Sequence, residues 1–378
     1  MDITKERMEI RVGRLTKKNR IRLITSLLLV LAGAATVALC RTNPAFADWY
    51  VSGPFQFFPN VIGRVTGILP FSVYEFVIYG LVLLGGWLIW RGMVNLKRRE
   101  RPKNIQGNLC AAILFASLVF CIASFTILGN YGRSPIAGYL GIEIQKSSVK
   151  DLKELCEVLI DDIEAVMDQV ERDEEGTFVL GAVDVPEEAR KAMYNLGEKY
   201  EAFEGYYPRP KPVLLSEGMS YLNLTGMYSP FTIEANYNDA CMDYVIPYTA
   251  CHELGHLRGF IREDEAGFVA WLACYHSEEP AFRYSGALNA LKYGLNALYR
   301  EVEYEEYKEF YNAMPLEIRW DLWKNSEYWQ AHRGFTYTVG TKVNDTYLKV
   351  NAQQGGTKSY GRMIDLLMAY REIGRDVI

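Results

Sequence analysis

Three uncharged apolar runs dominate the first third of the chain: LITSLLLVLAGAATVALC at 23–40, FVIYGLVLLGGWLIW at 76–90, and LCAAILFASLVFCIASFTIL at 109–128. The second extends back through PFSVYE and is taken as about 72–90. Crossing a bilayer core as a helix takes roughly 20 apolar residues, and each run is of that order. Tyr74, Trp87 and Trp90 stand near the ends of the second run, where amphipathic rings favour the headgroup level. Three transmembrane helices are therefore expected. The stretch between the first two, 43–72, carries four prolines and three glycines and cannot form one helix. Its aromatics suit a segment lying in the outer interface.

Beyond residue 130 the pattern changes to that of a globular domain. Leu152, Leu155, Val158, Leu159, Ile163 and Val166 recur at three- and four-residue intervals, as in an amphipathic helix with an acidic outer face. VPEEARKAMYNLGEKYEAF opens with Pro186 and two glutamates, a helix N-terminus. KPVLLSEGMSYLNLTGMYSPFTIEANYN alternates β-formers with glycine and proline, which predicts two or three short strands. Helices resume at about 247 and run, with breaks at Pro280 and Pro315, to about 330. GFTYTVGTKVNDTYLKVN reads as a short strand or loop, and SYGRMIDLLMAYREIG as a last helix. The expected fold is thus three N-terminal transmembrane helices plus an external α+β, mostly helical domain, with a small sheet preceding the helix at 247. Its parts are a basic N-terminus (1–22), a membrane anchor (23–128) and a soluble domain (130–378).

Charge orients this layout. Lys5, Arg7, Arg11, Arg14, Lys17, Lys18, Arg20 and Arg22 precede the first run, and Arg91, Lys97, Arg98, Arg99, Arg101 and Lys103 separate the second from the third. The segment 41–70 holds only Arg41 and Arg64. The positive-inside rule puts the N-terminus and the 91–108 loop in the cytoplasm, so three crossings deliver the domain to the outside of a bacterial cell membrane. AFA at 45–47 also resembles the cleavage site of a secretory signal, though the apolar run is long for that role, and the domain is outside either way. Leu39 before Cys40 argues against lipid attachment. The net charge of -5 and the lack of a basic groove-reading helix exclude nucleic acid as the main partner. The seven cysteines show no paired spacing and are expected to be buried; a Cys251–Cys274 bridge stays open.

Of the chain's four histidines, two fall in PYTACHELGHLRGFIREDEAGF, at His252 and His256, with Glu253 beside the first. Residues four apart share one helix face, so both imidazoles can address one ion while Glu253 reaches a ligand of that ion. This is the arrangement zinc needs for peptide hydrolysis: neutral imidazoles hold the metal, an open position keeps a water, and the carboxylate takes its proton. Gly255 weakens a helix and so implies close approach by another backbone, and Gly259 suits a left-handed turn that ends the helix. A second helix beginning near Arg262 then presents Glu263, Asp264 or Glu265 as third ligand.

The segment resembles the gluzincin branch of the zinc metallopeptidases, in which a glutamate on a following helix completes the site. That resemblance favours Glu263, with Glu265 as the alternative, and puts Gly267 where a small or polar residue supports the first histidine. The metzincin branch is excluded, because its third histidine would fall at Arg262. Over most of the chain, the three spans, PFS, SPFTIEANYN, HELGHLRGFIREDEAGFVAWLAC and SYGRMIDLL are similar to a bacterial membrane-anchored family labelled domain of unknown function 3810. The resemblance implies the same anchor and a zincin-like domain, and no substrate.

Two functions follow as expectations. The first is a membrane-tethered zinc peptidase acting on a peptide or protein, with Glu253 as general base and SYLNLTGMYSPFTIEANYN as the strand region lining its cleft. Tyr360, Tyr337, His332 and His276 are candidates for stabilising the oxyanion. The second is a non-catalytic zinc-containing sensor or interaction domain. An intramembrane protease is excluded by Arg258, Arg262 and the acidic run beside the motif.

Overall fold

The computed structural model describes residues 15–97, 105–144, 148–350 and 360–375. The chain begins with α1 (Lys17–Thr42), then the short α2 (Pro44–Ser52) and α3 (Arg64–Gly67) of the proline-broken stretch, then α4 (Val73–Lys97) and α5 (Ile105–Ala123). A π turn and a 3₁₀ turn prolong α5 to Gly132. Three helices, Lys17–Thr42, Val73–Asn95 and Ile105–Gly132, are long and apolar enough to cross a membrane. They outrun the apolar runs because the polar flanks contain no helix breaker: Thr16 caps α1 through the Asn19 N–H, and Pro44 forces the next start. The orienting basic residues at 5–14 and 98–103 lie outside the described residues.

α1 and α5 pack through small residues. A Cβ on Gly33 would lie 2.8 Å from the Ser124 Oγ, and one on Gly132 would strike the backbone of Cys40. α4 stands apart from them: Gly80, Gly85, Gly86 and Gly92 face open space. What holds α4 is its first turn. The carboxylate of Glu234 accepts from the Val73 and Tyr74 N–H groups at 3.0 and 2.9 Å, satisfying donors that a helix start leaves unpaired. In return Glu75 accepts from the Leu214 and Leu215 N–H groups at 2.9 Å each. Lys211 Nζ completes the joint, donating to Glu234 at 2.5 Å and to the Thr66 carbonyl at 2.7 Å from a fully enclosed position. Glu234→Ala strands a buried ammonium and uncaps α4, so it is expected to destabilise the protein by about 3–5 kcal/mol. Thermal unfolding of the full chain in detergent reads this directly, and an unchanged midpoint would contradict it.

The rest of the chain is α6 (Ile136–Leu140), α7 (Val149–Met167), β1 (Glu171–Arg172), β2 (Phe178–Val179), α8 (Val185–Lys199), β3 (Lys211–Pro212), α9 (Ser216–Ser220), β4 (Gly226–Ser229), β5 (Glu234–Tyr237), α10 (Val245–Leu257), α11 (Glu263–Tyr275), α12 (Pro280–Glu301), α13 (Tyr304–Ala313), α14 (Leu316–Ala331), α15 (Phe335–Val350) and α16 (Tyr360–Arg375). α7 buries Leu152, Leu155, Leu159, Ile163 and Val166 along one face and starts in a capping box between Ser148 and Asp151. The expected short sheet precedes α10: β5 lies between β3, parallel to it, and β4, antiparallel. β4 is therefore an edge strand. α10 is packed among α8, α11, α12 and this sheet, the centre of a core that includes Tyr244, Phe268 and Trp271.

Two elements differ from the expectation. Within GFTYTVGTKVNDTYLKVN, Phe335–Val350 form the helix α15, not a strand or loop; Thr338, Thr341 and Thr346 turn their hydroxyls back onto carbonyls one turn earlier, and Gly340 lets the helix lie against the Leu222 backbone. Within ERDEEGTFV, β1 and β2 form a hairpin that charge-rich composition had hidden. All seven cysteines are buried free thiols, Cys251 and Cys274 among them.

Candidate metal centre

Every residue of α10 except His252 is buried. Ser285 anchors its start, donating its hydroxyl to the Tyr244 carbonyl at 2.5 Å and accepting from the Tyr248 N–H at 3.0 Å. The end is set by Gly259, whose φ of 95° is left-handed. With it, Phe260 N–H reaches the Gly255 carbonyl at 3.1 Å and Gly259 N–H the His256 carbonyl at 2.9 Å, a Schellman closure. Gly255 meets α11 closely, a Cβ there lying 3.3 Å from Val269 and 3.8 Å from the Ala266 Cα.

The same turn orients His256. Its Nδ1 donates to the Phe260 carbonyl at 2.8 Å, which leaves Nε2 as the lone-pair nitrogen. Arg262 then caps α11, so Glu263 is its first residue and faces back across the turn. Its carboxylate lies 3.2 Å from His252 Nε2 and 3.7 Å from His256 Nε2. One donor atom from each of His252, His256 and Glu263 lies within 4.8 Å of the others, a group able to hold a metal ion. Two imidazole nitrogens and a carboxylate oxygen are donors that zinc accepts.

Glu265 is directed elsewhere. Its carboxylate accepts from the Ile136 N–H at 3.0 Å and from Arg262 at 2.9 Å. Asp264 pairs with Arg362 at 3.0 Å. Gly267 offers its carbonyl instead of a side chain, accepting from the Tyr248 hydroxyl at 3.1 Å; the Tyr248 ring lies beside that of His252, centroids 6.3 Å apart. A Cβ on Gly267 would sit 2.9 Å from that hydroxyl.

Burial pulls His256 down to about 4, with Glu263 opposing, so this imidazole is neutral at pH 7. Burial also lowers His252, but the hydrogen bond and charge of Glu263, with the charge of Glu253, outweigh it and leave this group raised. Glu253 is pushed up to about 8 by burial, against the nearby His252 and the Tyr228 N–H. Its Oε2 is buried without a hydrogen-bond partner among the described residues. An orphaned carboxylate oxygen costs stability, and such groups mark sites kept for chemistry.

These residues floor a cleft of about 400 Å³. Gly226 to Tyr228 of the edge strand form one wall, Tyr248 and Tyr293 another, and Tyr74 and Ile127 come from the apolar helices. Tyr293 is pushed up to about 12, by burial and then by Glu263. Gly226 is where β4 passes the motif: a Cβ would lie 2.5 Å from both Glu253 Oε1 and Thr249 Cγ2. Gly226→Ala is expected to displace Glu253 and to lower any activity that depends on it by about 100-fold. Steady-state kinetics with metal content measured in parallel checks this; unchanged kcat would contradict it.

Of the four oxyanion candidates, His276, His332 and Tyr337 are not among the residues lining the cleft. His332 bonds Glu217 and the Tyr328 carbonyl, each at 2.8 Å, and His276 bonds Lys199 and Tyr370. Tyr337 lies on α15, and the side chain of Tyr360 lies outside the described residues. Tyr248 and Tyr293 are among the tyrosines that do line the cleft. Tyr248 precedes His252 by one helical turn and was readable on that ground; Tyr293 arrives from α12 with no local signal among 26 tyrosines.

The family described as "Protein of unknown function (DUF3810)" matches residues 50–368. No curated protein and no solved structure matches the chain.

Proposed function

The chain belongs to the DUF3810 family, and from that premise, which carries no chemistry, we propose that it is a membrane-tethered zinc peptidase acting outside the bacterial cytoplasmic membrane. One observation carries the reading: His252, His256 and Glu263 converge, and Glu253 stands beside them with a buried oxygen left unpartnered. His252, His256 and Glu263 would hold a zinc ion, which would supply Lewis acidity and make a bound water more acidic. Glu253 takes the proton of the attacking water and passes it to the leaving amine; its raised pKa suits a group that must both accept and donate near neutrality. Tyr293, on the cleft wall, is placed to donate its hydroxyl to the developing oxyanion, while Tyr248 stays bound to the Gly267 carbonyl, and the edge strand β4 offers an extended peptide a line of pairing. His256 is held in the ligating tautomer by Phe260.

Location follows from the anchor. Three apolar helices precede the domain, and the excess of lysine and arginine before the first and between the second and third supports a cytoplasmic N-terminus. The test is hydrolysis of a quenched fluorogenic peptide library by the full chain in detergent. Activity is expected with zinc, lost on chelation and restored by zinc. A chain that binds zinc and cuts nothing in the library would contradict the reading.

A further inference from the structure

The cleft adjoins two of the apolar helices. Its lining includes Tyr74, in the first turn of α4, and Ile127, near the end of the third apolar helix. The joint of Glu234, Glu75 and Lys211 locks the sheet to that first turn. Around the same turn the surface is apolar: Ile68 is 80% exposed, Leu214 66%, Leu215 61% and Phe231, itself in the cleft, 39%. Leu214 and Leu215 are the residues whose N–H groups Glu75 accepts, so these exposed side chains adjoin the first turn of the apolar helix α4. An exposed apolar surface adjoining an apolar helix of spanning length is a surface made for lipid.

We propose that the substrates of this site are polypeptides themselves held in the bilayer, cut in the stretch just outside their hydrophobic anchor. This rests on the peptidase reading. A cleft walled by two membrane helices receives chain that leaves the membrane beside them, and it meets chain far from the surface only after that chain folds back. An acyl-anchored peptide and the juxtamembrane segment of a membrane protein share the required chemistry.

The experiment reconstitutes the zinc-loaded full chain in phosphatidylethanolamine–phosphatidylglycerol vesicles. The substrates carry tandem copies of one cleavable library sequence, in three forms: soluble, palmitoylated at one end, or joined to a leucine-rich transmembrane helix. Cut positions are mapped by mass spectrometry. Because every copy offers the same bonds, position alone reports access, which separates this effect from the higher encounter rate of any co-anchored pair. About tenfold more cutting is expected in the copy next to the anchor than in the distal copy. Preference with both anchors supports the whole class, and preference with one restricts it to that source. Even cutting along the anchored forms, with soluble peptide also cut, overturns the substrate class and leaves the peptidase standing. No cutting of any form overturns both.

Discussion

Glu253→Gln is expected to leave the metal content of the full chain unchanged while lowering peptide hydrolysis about a thousandfold. Glu253 is 5% exposed and lines the cleft beside His252, His256 and Glu263 without belonging to the group able to hold a metal ion. Glutamine keeps its shape, keeps an oxygen to accept the Tyr228 N–H, and loses the capacity to take a proton. Because burial already disfavours the charged form at neutral pH, the substitution removes no paired charge, and stability is expected to hold or rise slightly. Steady-state kinetics, metal analysis and thermal unfolding on one preparation check all three. An active Glu253→Gln variant would remove the general base from the account, and full biological function in such a strain would favour a non-catalytic zinc module.

The second large effect separates two acids two residues apart. Glu263→Ala removes the carboxylate that lies 3.2 Å from His252 Nε2 and 3.7 Å from His256 Nε2 and is expected to strip the metal and all hydrolysis. Glu265→Ala is expected to keep the metal and to destabilise the protein by about 1–3 kcal/mol, because the buried Ile136 N–H loses its acceptor. Metal content is the readout that tells them apart. Loss of metal from Glu265→Ala with retention in Glu263→Ala would reverse the assignment.

How far the sequence foretold this site depends on the range of the interaction. His252 and His256 share a face by helix periodicity alone, and Gly259 was readable as a turn because left-handed backbone favours glycine. Choosing between Glu263 and Glu265 needs the phase of the second helix. Two residues turn a helix by about 200°, so a start at Arg262 sends one carboxylate to the histidines and the other to Ile136. Nothing local fixes that start to the residue. The joint of Glu234 with the first turn of α4 was out of reach for another reason: it pairs a carboxylate with backbone groups 160 residues away, which have no side-chain signature. The apolar spans were legible because bilayer thickness imposes a length. α15 was not, because its threonines read as β-formers until their hydroxyls are seen bonded to the preceding turn.

The most direct test is elemental analysis of the full-length protein, purified without chelator, as wild type and as His256→Ala. About one zinc per chain is expected in the wild type and none in the variant. Wild-type protein free of zinc after incubation with it, or a variant that loads as fully, would contradict the metal centre and the hydrolase built on it.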